Sequence, residues 1–293
     1  MSRRQHTLRT PVEVTGIGLH TGDETRVRVA PAPPDHGIEF VRTDIEDAPS
    51  VPALIAYQSP KDRRTRLVRD RVEVETVEHF LAACKGLGVD NLRVEMSGPE
   101  FPGIDGSAAP FVELLESGGL VEQKPEAKVF RLDEPVFVRD GNATLVALPT
   151  DKDVLTLQYV ASFEEPGVES GSYQFDIEPE VFKSEIASAR TFCLASEVEA
   201  LQAAGLGKGA TRDNTVVLGD PDTKLRMAGE PVRHKMLDLV GDLSLLGSDL
   251  IAHVIATRSG HATNAELVRR LMTIIEAKEV SGVVERESGM DIR

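Results

Sequence analysis

Along the first 57 residues, hydrophobic and polar positions alternate with the period of two that is typical of short β-strands. The alternation is clearest at 12–15 and 25–30, and a glycine-rich segment at 16–22 predicts a turn between them. Farther along, strands and helices follow one another in mixed order, which favours an α+β fold over alternating β-α units. The predicted elements are a hairpin at 61–75, helices at 76–87, 107–118, 178–188, 195–204 and 262–277, and strands at 91–96, 129–148, 154–163, 214–218 and 250–256.

A further helix, predicted around residue 234, carries an ionisable stripe on an otherwise apolar surface. At about 100° per residue, His234, Asp238 and Asp242 fall within roughly 80° of one another, and Lys235 borders them. The opposite side is apolar and consists of Met236, Leu237, Leu239, Val240, Leu243 and Leu246. Because buried carboxylates and imidazoles are costly unless they are paired or bound to a metal, the stripe indicates either a hydrogen-bonded pair or a metal site.

The helix predicted to begin at Thr76, its candidate N-cap, adds a third candidate ligand. Catalytic zinc usually has three protein ligands and one water molecule. His79, His234 and Asp238 would satisfy that count, with Glu78 as the base that acts on the bound water. The alternative is a glutamate at a helix start beside a half-buried histidine, without a metal.

Both helices end in the same pattern, which indicates an internal repeat. Residues 87–94 and 246–254 each contain a Leu-Gly pair, an aspartate and then a predicted strand, and glycine is the usual residue just past a helix end. When the two pairs are aligned, His79 and Asp238 are equivalent, each nine residues before its glycine. Two such units packed face to face would bring the candidate ligands together, although short amphipathic segments also resemble one another by chance.

Composition limits the class of protein. The 293 residues suffice for one large or two medium-sized domains, and 41% hydrophobic with 28% charged residues is ordinary for a globular protein. The net charge is −15, and the nearest approach to a basic cluster lies at 61–71. This run suits a small anionic substrate better than nucleic acid, which we do not expect to bind. The alternative is a solvated loop or edge strand.

Cysteine content and hydropathy bear on the compartment. Two cysteines, Cys84 and Cys193, give no disulfide framework. The N-terminal residues lack the apolar region of a signal peptide, and no run of about 18 apolar residues occurs. We therefore expect a cytoplasmic location, no transmembrane segment and no obligate protein partner.

The polar segment 122–128, which contains one proline, is the best candidate for a linker. We therefore expect an N-terminal α+β domain at 1–124, with Glu78 and His79, and a C-terminal α+β domain at 125–293.

Seven short motifs occur in a fixed order along nearly the whole chain. They are GIGLHTG at 16–22, RTD at 42–44, TVEH at 76–79, DGSA at 105–108, ARTF at 189–192, RHKMLD at 233–238 and SGH at 259–261. Together they closely resemble the zinc-dependent UDP-3-O-acyl-N-acetylglucosamine deacetylases of lipid A biosynthesis. The fold that this resemblance implies is two similar domains, each a mainly antiparallel sheet with two helices, with the helices sandwiched between the two outer sheets.

The resemblance implies the chemistry of the site. His79, His234 and Asp238 match the family's ligands for one zinc ion per chain, and Glu78 matches its general base. His261 matches the histidine that stabilises the developing charge and protonates the leaving amine. The implied reaction hydrolyses the N-acetyl amide of an acylated nucleotide sugar and releases acetate.

The resemblance also implies roles for neighbouring residues. Asp242 matches a carboxylate near the catalytic histidine, and Thr191 matches a hydroxyl that helps to hold the oxyanion. Lys235 matches a cation near the diphosphate. Phe192 resembles a substrate-contacting aromatic residue, and Phe163 resembles the aromatic residue that stacks on uracil.

An insert near 193–214 corresponds to the family's apolar passage for the acyl chain. Leu194, Val198, Leu201 and Leu206 would line it, although each could equally be an ordinary core residue. The sequence departs from the family at 209–211, where Gly-Ala-Thr replaces the frequent Gly-Gly-Ser, and the 63–66 segment is more basic than expected. His20 lies in the shared glycine-rich turn, where it either lines the site or is structural.

Two other functions are consistent with a zinc site. One is a zinc peptidase, but neither His-Glu-x-x-His nor His-x-x-Glu-His occurs. The other is a binding protein with a structural zinc ion. Structural sites usually have four protein ligands and often use cysteine, and neither cysteine falls within the ligand motifs.

Overall fold

The computed structural model describes residues 3–163 and 170–288. Within these residues the chain forms two five-stranded sheets with helices packed between them, which confirms the predicted α+β class. The helices are α1 (Glu78–Leu87), α2 (Ala109–Ser117), α3 (Pro179–Val181), α4 (Val198–Ala203), α5 (Glu230–Leu243) and α6 (His261–Ser288). Among the helices described, none is both long enough and apolar enough to cross a membrane.

The strands are mostly short and lie in two similar groups. The first group is β1 (Arg4–Leu8), β2 (Val12–Ile17), β3 (Glu24–Pro31), β4 (Ile38–Arg42), β5 (Ser50–Pro52), β6 (Gln58–Ser59), β7 (Arg66–Arg69), β8 (Val72–Glu75), β9 (Leu92–Met96) and β10 (Leu120–Glu126). The second group is β11 (Val129–Arg131), β12 (Val136–Asp140), β13 (Ala143–Leu148), β14 (Thr156–Ala161), β15 (Gly171–Asp176), β16 (Phe192–Leu194), β17 (Val216–Leu218), β18 (Asp249–Ile251) and β19 (His253–Thr257).

The two large sheets have the same topology, which confirms the internal repeat predicted from the Leu-Gly pairs. The first has the order β2-β3-β9-β4-β5 and the second the order β12-β13-β19-β14-β15. In each, the central strand, β9 or β19, is antiparallel to one neighbour and parallel to the other. Gly88 and Gly247 end the equivalent helical segments with φ of 68° and 70°, a backbone conformation that glycine adopts without strain.

Helices α1 and α5 pack directly against each other at the centre of the molecule. Their closest approach is at Gly241 of α5, where a Cβ atom would lie 2.2 Å from the carbonyl oxygen of Glu78. On its other side α5 contacts β14 and β15, while α2 packs on β2 and α6 packs on β12 and β13. The equivalent helices of the two repeats therefore face each other, which sets the distance between the residues that they carry.

Each repeat adds its own insert to this frame. In the first half, the three-stranded sheet β6-β7-β8 contains the hairpin predicted at 61–75. In the second half, the parallel pair β16 and β17 brackets α4, which forms most of the helix predicted at 195–204. Both inserts contribute walls to the large cavity described below.

Two local predictions were wrong, and one strand was missed. Thr76 is not the N-cap of α1: it has a φ of 58°, and its hydroxyl donates to Oε1 of Glu100 at 3.1 Å, while the helix begins at Glu78. The segment 122–128 is not a linker, because β10 extends to Glu126 and pairs antiparallel with β1. The proposed domain boundary at residue 124 therefore falls inside a strand. Strand β15 was not predicted.

Candidate active site

A cavity of about 550 Å³ lies between the two repeats and their inserts. Its walls come from the starts of α1 and α6, from α5, and from the segments around 61–63 and 191–215. Most of the site residues predicted from the sequence line it. They are Glu78, His79, Phe163, Thr191, Phe192, Leu194, Leu201, Leu206, His234, Lys235, Asp238 and His261.

The three predicted metal ligands come together in this cavity. Nε2 of His79 lies 3.7 Å from Oδ1 of Asp238, and Nε2 of His234 lies 3.2 Å from the same oxygen. One ligand atom from each residue lies within 4.8 Å of the other two, and all three side chains are buried. Since His79 is on α1 while the other two are on α5, the packing of the two helices creates the cluster.

The surroundings of the cluster favour the protonation states that metal ligands need. Nδ1 of His234 donates to the carbonyl oxygen of Ala189 at 3.0 Å, which leaves Nε2 free. Burial and the neighbouring His234 lower the pKa of His79 to about 3, so its ring is neutral. Burial raises the pKa of Asp238, but His234 and Lys235 outweigh burial and hold it well below its usual value. Two imidazoles and one carboxylate are a ligand set that fits zinc.

Glu78 lies beside the cluster with one oxygen held in place. Its Oε2 accepts a hydrogen bond from the backbone N–H of Thr65 at 3.0 Å. Burial, followed by the charges of Asp238 and Asp242, raises the pKa of Glu78 to about 7, although His261 opposes this shift. A carboxylate with a pKa near neutrality can accept a proton and release it again.

His261, the first residue of α6, faces Glu78 across the site. Its Nε2 lies 3.8 Å from Oε1 of Glu78, and its Nδ1 lies 2.8 Å from Oδ2 of Asp242. Burial lowers the pKa of His261, but Asp242 and Glu78 outweigh burial and raise it to about 9. Asp242 is itself fixed by Thr65, whose hydroxyl donates to Oδ1 at 2.5 Å, and by Asn264, whose amide donates to Oδ2 at 2.8 Å. His261 is therefore a protonated, oriented group at neutral pH.

Polar and aromatic side chains continue the cavity beyond the ligands. Thr191 is fixed through its backbone, whose N–H donates to the carbonyl oxygen of Gly106 at 2.7 Å. The Phe192 ring packs edge-on against Phe163 at 5.8 Å and against His234 at 6.1 Å. Lys235 donates to Oδ2 of Asp238 at 2.7 Å, and the charge of Asp238 raises its pKa despite burial.

The predicted acyl-passage residues divide into two groups. Leu194, Leu201 and Leu206 line the cavity, whereas Val198 is not among the described residues that do. Within the described helix α4, no residue is fully buried. The three leucines are half-buried where they line the cavity.

The basic segment at 61–71 is largely neutralised by acidic partners. Lys61 and Arg64 both contact Glu75, at 3.1 and 2.5 Å, and Arg63 contacts Glu197 at 2.8 Å. Lys61 and Arg63 also line the cavity, as does His20. The start of the segment, residues 61–63, is thus part of the wall of the site.

Some residues that hold the site together were not predicted from the sequence. Thr65 contacts both Glu78 and Asp242, but an isolated threonine in a hairpin gave no signal. Glu230 is fully buried at the start of α5 and pairs with Arg190 at 2.8 Å. Glu230 could have been recognised from the sequence, because it lies four residues before His234 and extends the ionisable stripe by one turn.

Two imidazoles and a carboxylate at one point, flanked by a carboxylate with a raised pKa and a protonated imidazole, are typical of metal-dependent hydrolases. A family model described as LpxC, UDP-3-O-acyl N-acetylglycosamine deacetylase, matches residues 5–273. The chain belongs to this family of enzymes. The resemblance and the reaction expected from it, deacetylation of UDP-3-O-acyl-N-acetylglucosamine in lipid A biosynthesis, are confirmed.

Relatives named UDP-3-O-acyl-N-acetylglucosamine deacetylase match over almost their whole length. The protein from Myxococcus xanthus is 40% identical over 291 residues, which cover 98% of this chain and 92% of the relative. Those from Anaeromyxobacter and Nostoc are each 41% identical, over 92% of this chain and over 88% and 99% of the respective relatives. The similarity therefore includes both repeats and the inserts.

Proposed function

We propose that this chain deacetylates UDP-3-O-acyl-N-acetylglucosamine with one zinc ion per chain, held by His79, His234 and Asp238. The observation that carries the proposal is that Oε1 of Glu78 and Nε2 of His261 face each other at 3.8 Å beside these ligands. When bound, zinc lowers the pKa of a water molecule to about 7 and polarises the acetyl carbonyl. Structural zinc usually has four protein ligands, whereas the cluster offers three.

Glu78 is the proposed general base. It takes the proton of the attacking water, and the Thr65 N–H on Oε2 orients the carboxylate so that Oε1 lies toward His261. Burial raises the pKa of Glu78 to about 7, which is close to the pKa of a zinc-bound water molecule. Glu78 can therefore accept the proton of the water and later release it. A divalent cation at the cluster would lower this pKa and keep the base ionised at neutral pH.

His261 is the proposed general acid. Since Nδ1 is bonded to Asp242, the proton for the leaving nitrogen comes from Nε2, on the side that faces Glu78. The raised pKa ensures that this proton is present at neutral pH. Donation to the sugar nitrogen as the C–N bond breaks releases acetate and leaves a free amine on the sugar.

The remaining wall residues would bind the substrate. The Thr191 hydroxyl is proposed to donate to the oxyanion that forms on the acetyl group, and Lys235 is proposed to lie near the diphosphate. Phe163 and Phe192 form an aromatic wall, on which we propose that the uracil and sugar pack.

The acyl chain is proposed to pass along Leu194, Leu201 and Leu206. Each buried methylene contributes about 0.8 kcal/mol, so a chain of about ten carbons would add several kcal/mol after its ordering cost. This energy, acting far from the amide, also positions the reacting group. Unacylated UDP-N-acetylglucosamine should therefore react much more slowly.

The test is acetate release by the zinc-loaded protein from acylated and unacylated UDP-N-acetylglucosamine. The expected result is one acetate and one free amine per acylated sugar consumed, with far slower release from the unacylated sugar. Folded, zinc-loaded protein that released no acetate from the acylated sugar would contradict the proposal. Equal turnover of the two sugars would contradict the acyl passage alone.

A further inference from the structure

Glu230 is a buried carboxylate that takes no part in the proposed reaction. It begins the α5 stripe that continues through His234, Asp238 and Asp242 at intervals of four residues, and all four side chains are buried. The last three serve the reaction, whereas Glu230 is not among the described residues that line the cavity. A carboxylate with no exposed surface needs a compensating partner.

That partner is Arg190, which binds Glu230 through both its side chain and its backbone. Nε of Arg190 donates to Oε1 at 2.8 Å and Nη2 donates to Oε2 at 3.2 Å, while the backbone N–H donates to Oε1 at 3.1 Å. The backbone N–H of Arg226 adds a fourth hydrogen bond, to Oε2 at 2.7 Å. Bidentate pairs of this kind fix geometry as well as charge.

Arg190 lies between two residues that belong to the site. The carbonyl oxygen of Ala189, on one side, accepts the hydrogen bond from Nδ1 of His234 that leaves Nε2 free. Thr191, on the other side, lines the cavity. Glu230 and His234 are one helical turn apart on α5. The ion pair between Arg190 and Glu230 therefore holds the backbone at Arg190 against the helix that carries His234.

We infer that Arg190 and Glu230 are positioning residues that set the place of the Ala189 carbonyl and, through it, the orientation of the His234 ring. The inference rests on the proposed function, since it assumes that His234 binds the metal. Arg190 and Glu230 touch neither substrate nor metal, so their effect reaches the site through the backbone at 189–191. Groups that orient metal-binding histidines typically change metal affinity by about 10–100-fold when altered.

The test measures how firmly the zinc-loaded protein retains its metal against a chelator of known affinity. The variants are Glu230→Gln, which keeps the shape and removes the charge, and Arg190→Lys, which keeps the charge and removes the fork. We expect each to raise the zinc dissociation constant by about 10–100-fold. A melting curve for each variant establishes that it is folded.

Arg42→Lys is a matched control, because Arg42 and Arg190 are each 8% exposed. Arg42 also makes a bidentate pair, with Asp44 at 2.8 and 2.7 Å, but in the first sheet. If the role of Arg190 is purely structural, Arg190→Lys should behave like Arg42→Lys: the melting temperature falls and zinc retention is unchanged. A positioning role changes zinc retention in Arg190→Lys alone.

Arg190→Lys is the milder change and decides the matter if Glu230→Gln does not fold. Folded Arg190→Lys with the zinc dissociation constant of the wild type would overturn the inference. His79→Ala in the same series separates the two proposals. If it loses zinc while Arg190→Lys does not, the metal site stands and the positioning role fails. If His79→Ala retains zinc, the proposed metal site itself fails.

Discussion

Nδ1 of His261 lies 2.8 Å from Oδ2 of Asp242. Burial lowers the pKa of the imidazole, but the charge of Asp242 outweighs burial and raises the pKa to about 9. A general acid must carry its proton, so kcat/KM should fall as the pH rises through about 9. Asp242→Asn removes the charge and should therefore move this basic limb to lower pH.

The measurement is the pH dependence of kcat/KM for the wild type and Asp242→Asn, with Asp44→Asn as a control for the loss of an ion-paired carboxylate. Asp44 pairs with Arg42 in the first sheet, so its variant should keep the wild-type basic limb. A basic limb that stays in place in Asp242→Asn would show that Asp242 does not tune the acid.

Leu201 and Val198 lie on the same short helix, but only Leu201 lines the cavity. Leu201→Gln should lower kcat/KM for the acylated sugar by about tenfold, because about 1–2 kcal/mol of contact with the chain is lost. Activity on the unacylated sugar should remain. Val198→Gln should leave the ratio of the two activities unchanged.

Comparison of kcat/KM for the two sugars, together with melting curves, decides this prediction. Equal losses of both activities in Leu201→Gln, with a lower melting temperature, would identify Leu201 as a core residue.

Cys193 offers a chemical probe of the cavity. It lines the cavity and is half-buried, whereas Cys84 is fully buried in α1. Burial, followed by the charge of Glu197, raises the pKa of the Cys193 thiol, so a maleimide should modify it slowly, and faster as the pH rises. We expect one thiol per native chain to react, and saturating acylated substrate to slow the reaction.

Mass spectrometry of the labelled chain tests this, with Cys193→Ser as the control that should show no native labelling. Labelling of Cys193 at the same rate with and without the acylated sugar would place the bound substrate elsewhere.

The close approach of α1 and α5 at Gly241 predicts that a single methyl group disturbs the site. In Gly241→Ala, the new Cβ would lie 2.2 Å from the carbonyl oxygen of Glu78, so the helices must separate. Overpacking of this kind costs about 1–3 kcal/mol and here also moves the base away from the ligands on α5. We expect a lower melting temperature and a fall in kcat.

Gly171→Ala is the matched control, because its Cβ would meet only ordinary contacts, the nearest at 3.8 Å. Near-wild-type kcat and melting temperature in Gly241→Ala would show that the helix spacing can relax without effect on the site.

Much of this site was predictable because its residues follow helical and loop spacing. The stripe of His234, Asp238 and Asp242 needed only the period of the helix, and the Leu-Gly pairs placed His79 opposite it. Both helix ends are indeed glycine caps with positive φ. The same spacing, extended by one turn, would have included Glu230.

Other features depend on contacts between distant segments, which single-sequence patterns do not carry. Thr65 is 177 residues from Asp242, which its hydroxyl contacts. The segment 122–128 looked like a linker because it is polar and contains one proline, yet β10 is held by pairing with β1 more than a hundred residues earlier. Thr76 resembled an N-cap, but its hydroxyl is already bonded to Glu100.

The most direct test of the account is the activity of Glu78→Gln, with zinc content measured in the same sample. The variant keeps the size of the side chain and leaves the three ligands intact, so it should hold one zinc ion per chain. Loss of the general base should nevertheless lower kcat on the acylated sugar by roughly 10²–10⁴-fold. Full zinc content with wild-type kcat would contradict the assignment of Glu78 as the base, and with it the proposed mechanism.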